Sequence, residues 1–202
     1  MDVKICGLTN LDDALVARDA GADFLGFVLY QKSPRAVTPD KLAEIVGVLG
    51  AGVRAVGVFV NETPDDVARI VKQCGLYGAQ IHGDELPDGF GDLPFPVWRA
   101  LWFEDGLVLP EPEIWQAERY VVDAAVPGQY GGSGVRADWD AAAELSKRFD
   151  VMLAGGLNVD NVGAAISAVG PIGVDVSSGV EREPGHKDHD MVRDFIKAAK
   201  DC

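Results

Sequence analysis

Eight short apolar runs recur along the chain at intervals of roughly 20–30 residues, and this repetition limits the possible folds more than any other feature. Several runs are apolar at every position, as parallel strands are when helices cover both faces of the sheet. In chain order the runs are "VKIC", "ADFLGFVL", "RAVGVFV", "GAQIH", "PVWRALW", "RYVVDA", "DVMLAGG" and "IGVDVSS". We expect each of them to form a β-strand.

Helix signals lie between many of these runs. Thr38 and Thr63 are each followed by a proline, which is typical of a helix N-cap and first helical position. Near the end of the chain, apolar residues at helical spacing predict a final helix with one buried face. Residues 84–95 and 104–118 are crowded with proline, glycine and acidic residues, so only short or irregular helices are expected there.

Strands alternating with helices eight times predict an α/β fold. We expect a single (β/α)8 TIM barrel of the phosphate-binding type, and this one domain should span residues 1–202. The length of 202 residues allows about 25 residues per unit, at the lower end for such a barrel. An open doubly wound sheet is the alternative. The first strand is not followed by the G-x-G-x-x-G pattern that would favour it.

The charge balance excludes several classes of function. A net charge of −14 argues against general binding to nucleic acid or to anionic membranes, which needs a basic surface. No apolar run reaches the roughly 18–20 residues of a membrane span, and the start of the chain lacks the layout of a signal peptide. Three cysteines without a C-x-x-C pair indicate no disulfide framework and no metal site. We therefore expect a cytoplasmic protein. No exposed apolar stripe is evident in the sequence, so we also expect a monomer.

Polar residues gather at the carboxyl ends of the predicted strands. Cys6, His82 and Asp123 end strands, Arg35 follows the second strand, and Asp175 lies in the last one. In a barrel of this kind the catalytic groups occupy that end, so these five residues are candidates for the site.

The alternation of strand side chains refines this list. Lys4 shares a face with Cys6, and Gln80 shares one with His82. If Cys6 points into the barrel, the ammonium group of Lys4 does so too and would lower the pKa of the thiol.

Two glycine-rich loops are candidates for phosphate binding. "LAGGLNVDNV" contains Gly155 and Gly156 and leads to Asn158, a candidate N-cap, and "VDVSSGVE" contains Ser177, Ser178 and Gly179. Loops after strands 7 and 8 form the usual phosphate site of a barrel with their backbone N–H groups. The alternative is that these glycines only allow tight turns.

The segment "PGQYGGSGVRADWD" follows Asp123 and is long and rich in glycine. Such a loop beside a candidate catalytic residue is typical of a lid or clamp. Tyr130 and Trp139 argue against a passive connection, because aromatic side chains usually pack on a neighbour.

Eight motifs together resemble the phosphoribosylanthranilate isomerase family. They are "KICGLT", "GFVLYQKSPRAV", "VGVFVN", "QIHGDE", "VVDAAVPGQYGGSG", "LAGGLNVDNV", "VDVSSGVE" and "PGHKD", and they occur in order on seven of the eight units. The resemblance implies a TIM-barrel enzyme of tryptophan biosynthesis that uses no metal and no organic cofactor. Its small-molecule substrate would be N-(5-phosphoribosyl)anthranilate, which an Amadori rearrangement converts to 1-(2-carboxyphenylamino)-1-deoxyribulose 5-phosphate.

The resemblance also implies roles for individual residues. Cys6 would be the general base, Asp123 the general acid, and Arg35 would lie near the anthranilate carboxylate. Asp175 would bind substrate hydroxyls or steady the site, and His82 would line the cavity. An acid and a base that work at one pH need opposite protonation states, so we expect a raised pKa for Asp123 and a lowered one for Cys6.

Two alternatives remain at this point. One is a related phosphate-binding barrel, which would either isomerise the aminoaldose of the histidine pathway or work as an epimerase or lyase. The histidine-pathway isomerase carries an aspartate where this chain has Cys6, and the epimerases require paired metal-binding histidines. The other alternative is a barrel that binds a sugar phosphate without turning it over.

Overall fold

The computed structural model describes residues 1–124 and 136–202. In chain order the strands are β1 (Asp2–Ile5), β2 (Phe24–Val28), β3 (Ala55–Phe59), β4 (Gly78–Ile81), β5 (Val97–Glu104), β6 (Leu107–Leu109), β7 (Arg119–Val122), β8 (Val151–Leu153), β9 (Gly173–Val176), β10 (Glu181–Glu183) and β11 (His186–Lys187). The helices are α1 (Leu11–Asp19), α2 (Pro39–Leu49), α3 (Pro64–Cys74), α4 (Pro112–Trp115), α5 (Trp139–Ser146), α6 (Val162–Val169) and α7 (His189–Lys200). Ser178–Val180 forms a short 3-10 helix.

Eight parallel strands close into a barrel. They are hydrogen-bonded in the order β4-β3-β2-β1-β9-β8-β7-β5, and β4 also pairs with β5. The closing pair aligns Ile81 of β4 with Arg99 of β5. The predicted (β/α)8 architecture is confirmed, and the open doubly wound sheet is wrong because such a sheet would leave two unpaired edges.

Helices begin where threonine and proline predict them. The side-chain oxygen of Thr38 accepts a hydrogen bond from the backbone N–H of Lys41, and that of Thr63 from Asp66. Gly75 ends α3 in the left-handed conformation. The expectation for Asn158 is wrong, because the N-cap of α6 is Asn161. The side chain of Asn158 instead accepts backbone hydrogen bonds within the turn before the helix.

The return segments on either side of β5 are irregular, as predicted. Residues 84–95 contain no helix, and α4 has a single turn of four residues. Two short hairpins were not predicted: β6 folds back antiparallel on β5, and β10 pairs with β11 after the last barrel strand.

The barrel interior has an apolar floor and a polar upper layer. Phe24, Trp98, Val121 and Met152 belong to one buried apolar cluster. A second, larger buried cluster includes apolar residues of both the strands and the surrounding helices. Among the described residues, no helix combines the length and apolar character needed to cross a bilayer.

Gly26 makes room for the polar layer. A Cβ atom at this position would lie 2.9 Å from Sγ of Cys6 and 3.0 Å from Cε of Lys4. A larger residue would therefore displace both side chains from the interior of the barrel.

Candidate active site

One cleft lies at the carboxyl end of the barrel strands. It brings together every residue that the sequence predicts for the site: Cys6, Arg35, His82, Asp123, Gly155, Gly156, Asp175, Ser177, Ser178 and Gly179.

Cys6 follows β1 directly, and its backbone N–H donates to the carbonyl of Val176 at 2.8 Å. The register therefore points its side chain inward together with Lys4, as strand alternation predicted. The ammonium group of Lys4 is fully buried and lies 2.9 Å from Oδ2 of Asp175. This buried ion pair links β1 and β9 directly below the cleft.

The expected lowering of the Cys6 pKa is wrong for the protein on its own. Burial raises the pKa of the thiol, because a thiolate loses hydration there, and the carboxylate of Asp175 acts in the same direction. Lys4 and Lys187 pull the pKa down but do not overcome burial. The influence of Lys4 is therefore present as predicted, although much of its charge is shared with Asp175.

Asp123 carries the raised pKa that the sequence predicted. Burial raises the pKa of this carboxyl to about 6, although its Oδ1 atom accepts a 2.8 Å hydrogen bond from the backbone N–H of Ala124. Asp175 raises the pKa further, whereas Lys4 opposes the shift. A carboxyl with this pKa carries a proton in roughly a tenth of molecules at pH 7, against fewer than about one in a thousand at an ordinary pKa.

His82 follows β4 directly and faces Asp123, with 3.8 Å between Nε2 and Oδ2. Burial, together with the positive charges of Arg99 and Lys4, lowers the pKa of the imidazole to about 3. His82 is therefore neutral at physiological pH. A neutral imidazole can donate or accept a hydrogen bond beside Asp123 but carries no charge.

Arg99 fixes the backbone around His82 from outside the barrel. Its Nη1 and Nη2 groups donate to the carbonyls of Ile81 and Gly83 at 2.8 and 2.6 Å. The guanidinium also lies 3.5 Å from the carboxylate of Glu85. Arg99 therefore holds the backbone on both sides of His82.

Arg35 reaches the cleft from the loop after β2, held by a carboxylate from a distant part of the chain. Its Nε and Nη2 atoms lie 2.9 and 2.7 Å from the carboxylate oxygens of Glu181. Glu181 also pairs with Lys187 at 2.9 Å, and the same ammonium group donates to the carbonyl of Ser177 at 3.0 Å. The loops that carry Arg35 and Ser177 are thus tied together by one buried network.

The two glycine-rich loops lie side by side on the cleft. Gly155 and Gly156 both have positive φ angles, and the side-chain amide of Asn161 donates to the carbonyl of Gly156 at 2.9 Å. A Cβ atom on Gly179 would overlap the carbonyl oxygen of Leu157, so only glycine allows the loops to approach this closely. Both loops therefore contribute backbone to one end of the cleft.

Several residues of this site were not identified from the sequence. Glu181 and Lys187 occur in the motifs "VDVSSGVE" and "PGHKD". Glu181 pairs with Lys187 and also with Arg35, which lies about 150 positions earlier in the chain. Arg99 stands out in the sequence as a lone cation within an apolar strand, which could have marked it as a buried, paired group.

The predicted lid falls largely outside the described residues. Tyr130 and the other residues from 125 to 135 lie there. Trp139 is described, and the guanidinium of Arg136 lies over its ring at 3.5 Å from the ring centroid. This contact agrees with the expectation that Trp139 packs against a neighbour.

Comparisons with known proteins identify the family. The model of the N-(5'-phosphoribosyl)anthranilate isomerase family matches residues 3–198. An enzyme of that name from Geotalea uraniireducens is 46% identical over 198 residues, which is 98% of each chain. The crystal structure of phosphoribosyl anthranilate isomerase from Thermus thermophilus superposes with a TM-score of 0.89 at 35% identity, covering 100% of this chain and 99% of that one. A crystal structure of such an isomerase in complex with reduced 1-(o-carboxyphenylamino)-1-deoxyribulose 5-phosphate gives a TM-score of 0.84 at 37% identity, with both chains covered completely. This chain belongs to the phosphoribosylanthranilate isomerase family.

Proposed function

We propose that this barrel, as a single domain over residues 1–202, isomerises N-(5-phosphoribosyl)anthranilate to 1-(2-carboxyphenylamino)-1-deoxyribulose 5-phosphate in tryptophan biosynthesis. The observation that carries the proposal is one cleft that contains a buried carboxyl, a buried thiol and two glycine-rich loops. An aminoaldose phosphate needs these three things in one place: an acid, a base and a phosphate site.

Asp123 acts first, as the general acid. It gives its proton to the oxygen of the ribose ring, which opens the ring and leaves an iminium between C1 and the anthranilate nitrogen. The raised pKa of about 6 supports this role, because a carboxyl with an ordinary pKa would hold almost no proton near neutral pH. The backbone N–H of Ala124 then stabilises the carboxylate that remains.

Cys6 acts second, as the general base. Its thiolate removes the proton from C2, which the adjacent iminium has made acidic, and the resulting enolamine tautomerises to the ketone. Burial disfavours the thiolate in the free protein, while Lys4 and Lys187 favour it. The positive iminium formed beside the thiol acts in the same direction as these lysines, so the acid step prepares the base for its own step.

Different groups of the cleft bind the two ends of the substrate. The loops containing Gly155, Gly156, Ser177, Ser178 and Gly179 hold the phosphate with backbone N–H groups and hydroxyls. Arg35 holds the anthranilate carboxylate. Among the described residues its carboxylate partner is Glu181, bound through Nε and Nη2, so the Nη1 group remains for the ligand.

Asp175 and His82 complete the binding of the sugar. Oδ2 of Asp175 is engaged with Lys4, whereas its buried Oδ1 atom has no hydrogen-bond partner among the described residues. A substrate hydroxyl would satisfy this acceptor, since a buried carboxylate oxygen without a partner is costly. His82 lines the same wall as Asp123.

Turnover by the purified protein tests the proposal. We expect loss of N-(5-phosphoribosyl)anthranilate fluorescence at a rate well above the uncatalysed reaction, without added metal or cofactor. A parallel assay with the aminoaldose of the histidine pathway distinguishes this activity from that of the histidine-pathway isomerase. Turnover of that compound alone would contradict the proposal.

We also propose that the protein is a monomer. The large exposed apolar side chains among the described residues lie on separate elements; they are Met1, Val48, Leu86, Leu107, Ile114, Ile172 and Met191. Met1 and Ile172 are neighbours, because the backbone N–H of Asp2 donates to the carbonyl of Ile172, and a pair of side chains is far smaller than the continuous apolar patch of a stable interface. Light scattering during size-exclusion chromatography checks the proposal, and a mass of twice 21.5 kDa would contradict it.

A further inference from the structure

Gln80 is a buried polar residue to which the mechanism above gives no role. It lies on β4, two residues before His82 and on the same inward face, and only 2% of its surface is exposed. Its side-chain nitrogen Nε2 lies 3.0 Å from Nδ1 of His82. Gln80 is therefore in direct contact with the imidazole that faces Asp123.

This contact specifies where the imidazole carries its proton. An amide nitrogen donates hydrogen bonds and cannot accept them, so Nδ1 of His82 must present its lone pair to Gln80. A neutral imidazole has one proton, which then resides on Nε2. The Nε2 atom is the one that lies 3.8 Å from Oδ2 of Asp123.

The opposite orientation of the amide is less favourable. In the observed orientation, Oε1 of Gln80 is the one buried amide atom of this side chain without a partner among the described residues. Rotating the amide by half a turn would place its NH₂ group, with two donors, in that position. It would also turn the lone pair of His82 Nε2 towards Asp123, where it would repel the ionised carboxylate.

We propose that Gln80 is a positioning residue that holds His82 in the tautomer protonated on Nε2, so that this N–H supports the carboxylate of Asp123 once the acid has given up its proton. The role rests on the proposed function of Asp123. A shift of about 1 Å would bring Nε2 within hydrogen-bond distance of Oδ2.

The charged groups around the pair agree with a donor that stays neutral. Lys4 from β1 and Arg99 from β5 place positive charge near His82, and Asp175 from β9 acts on Asp123. A doubly protonated His82 would add a cation beside two others. Fixing one tautomer of a neutral ring supplies an N–H to Asp123 without that cost.

The test uses ¹⁵N NMR of the full chain labelled at histidine. The sequence has only three histidines, and a His82→Gln variant identifies the signals of His82. At pH 7 we expect a protonated Nε2 and an unprotonated Nδ1. In Gln80→Glu the carboxylate accepts a hydrogen bond, so the proton should move to Nδ1. In Gln80→Met the preference for one tautomer should be lost.

A matched control is Gln73→Met, at an exposed glutamine on α3 that bonds to Asp40 on the outside of the barrel. This variant should leave the signals of His82 unchanged. A wild-type His82 that carries its proton on Nδ1, or on both nitrogens, would overturn the proposal. So would a Gln80→Glu variant, folded by circular dichroism, whose His82 signals match those of the wild type.

Kinetics then tests whether the tautomer matters. We expect kcat to fall roughly tenfold in Gln80→Met, the value of one hydrogen bond, with a smaller change in KM. A kcat within twofold of the wild type in both Gln80 variants, despite an altered tautomer, would overturn the proposal while leaving the proposed function intact. If the wild type itself failed to turn over the substrate, the proposed function would fail, and the NMR result would still decide the tautomer.

Discussion

Replacing Asp123 with asparagine should stabilise the folded protein at neutral pH while it removes the proposed acid. The pKa of Asp123 is raised from 3.8 to about 6, so the ionised carboxyl is disfavoured in the folded state relative to the unfolded one. A shift of 2.2 units, from 3.8 to 6, corresponds to about 3 kcal/mol of folding free energy above pH 6. Asparagine carries no charge and can keep the hydrogen bond from Ala124, so it avoids this cost.

The sign of the effect can be followed with pH. Because the folded pKa is the higher one, the wild type loses stability as the pH rises from 3.8 through 6, and the penalty is complete above that range. At pH 4.5 the penalty is about 1 kcal/mol, and at pH 7.5 it is about 3 kcal/mol. The advantage of Asp123→Asn over the wild type should therefore grow by about 2 kcal/mol between these two pH values.

Urea denaturation at both pH values measures this difference. Asp160→Asn, at an exposed carboxylate of the loop after β8, is a control for the loss of one negative charge from the same end of the barrel. A gap between Asp123→Asn and the wild type that does not change from pH 4.5 to pH 7.5 would refute the reasoning. It would mean that burial does not penalise the Asp123 carboxylate.

Two further predictions concern the loops around the cleft. Gly179→Ala should raise KM by roughly tenfold or more, because the added methyl group overlaps the carbonyl of Leu157 and pushes the two proposed phosphate loops apart. Gly163→Ala in α6 is the control. A methyl group there would meet only a sulfur atom at 3.5 Å, so KM should not change. An equal KM in both alanine variants would contradict the shared phosphate site. Glu181→Gln should lower the free energy of unfolding by about 3 kcal/mol, as measured by urea denaturation, because it leaves the fully buried Lys187 without its carboxylate. Adding Lys187→Met should recover part of that loss. A double variant whose loss of stability equals the sum of the two single losses would count against the pairing.

The architecture could be predicted from sequence because it depends on local patterns. Apolar runs and Thr-Pro helix starts repeat along the chain, and strand alternation correctly placed Lys4 with Cys6 and Gln80 with His82. The rule that barrel sites lie at the carboxyl ends of strands then brought the predicted residues to one cleft. The turn before α6 was mispredicted because Asn158 and Asn161 are both competent caps, and only the backbone decides between them.

The electrostatics of the site depend on tertiary contacts that no local pattern reveals. The sequence placed Lys4 beside Cys6, but the ammonium group is shared with Asp175 from the other end of the chain, and burial outweighs its effect on the thiol. In the same way, Arg35 binds Glu181 from a distant part of the chain, and the outward-facing Arg99 binds the backbone carbonyls on either side of His82. Charge and burial must be known together before the sign of a pKa shift can be predicted.

The most direct test of the central claim is kcat of Cys6→Ala with N-(5-phosphoribosyl)anthranilate. If Cys6 is the base that removes the proton from C2, kcat should fall by about 100-fold or more, while the substrate still binds with little change in affinity. Binding is measured by titration of the substrate's fluorescence. A Cys6→Ala variant with the kcat of the wild type would contradict the account, because the proton would then be removed by another group.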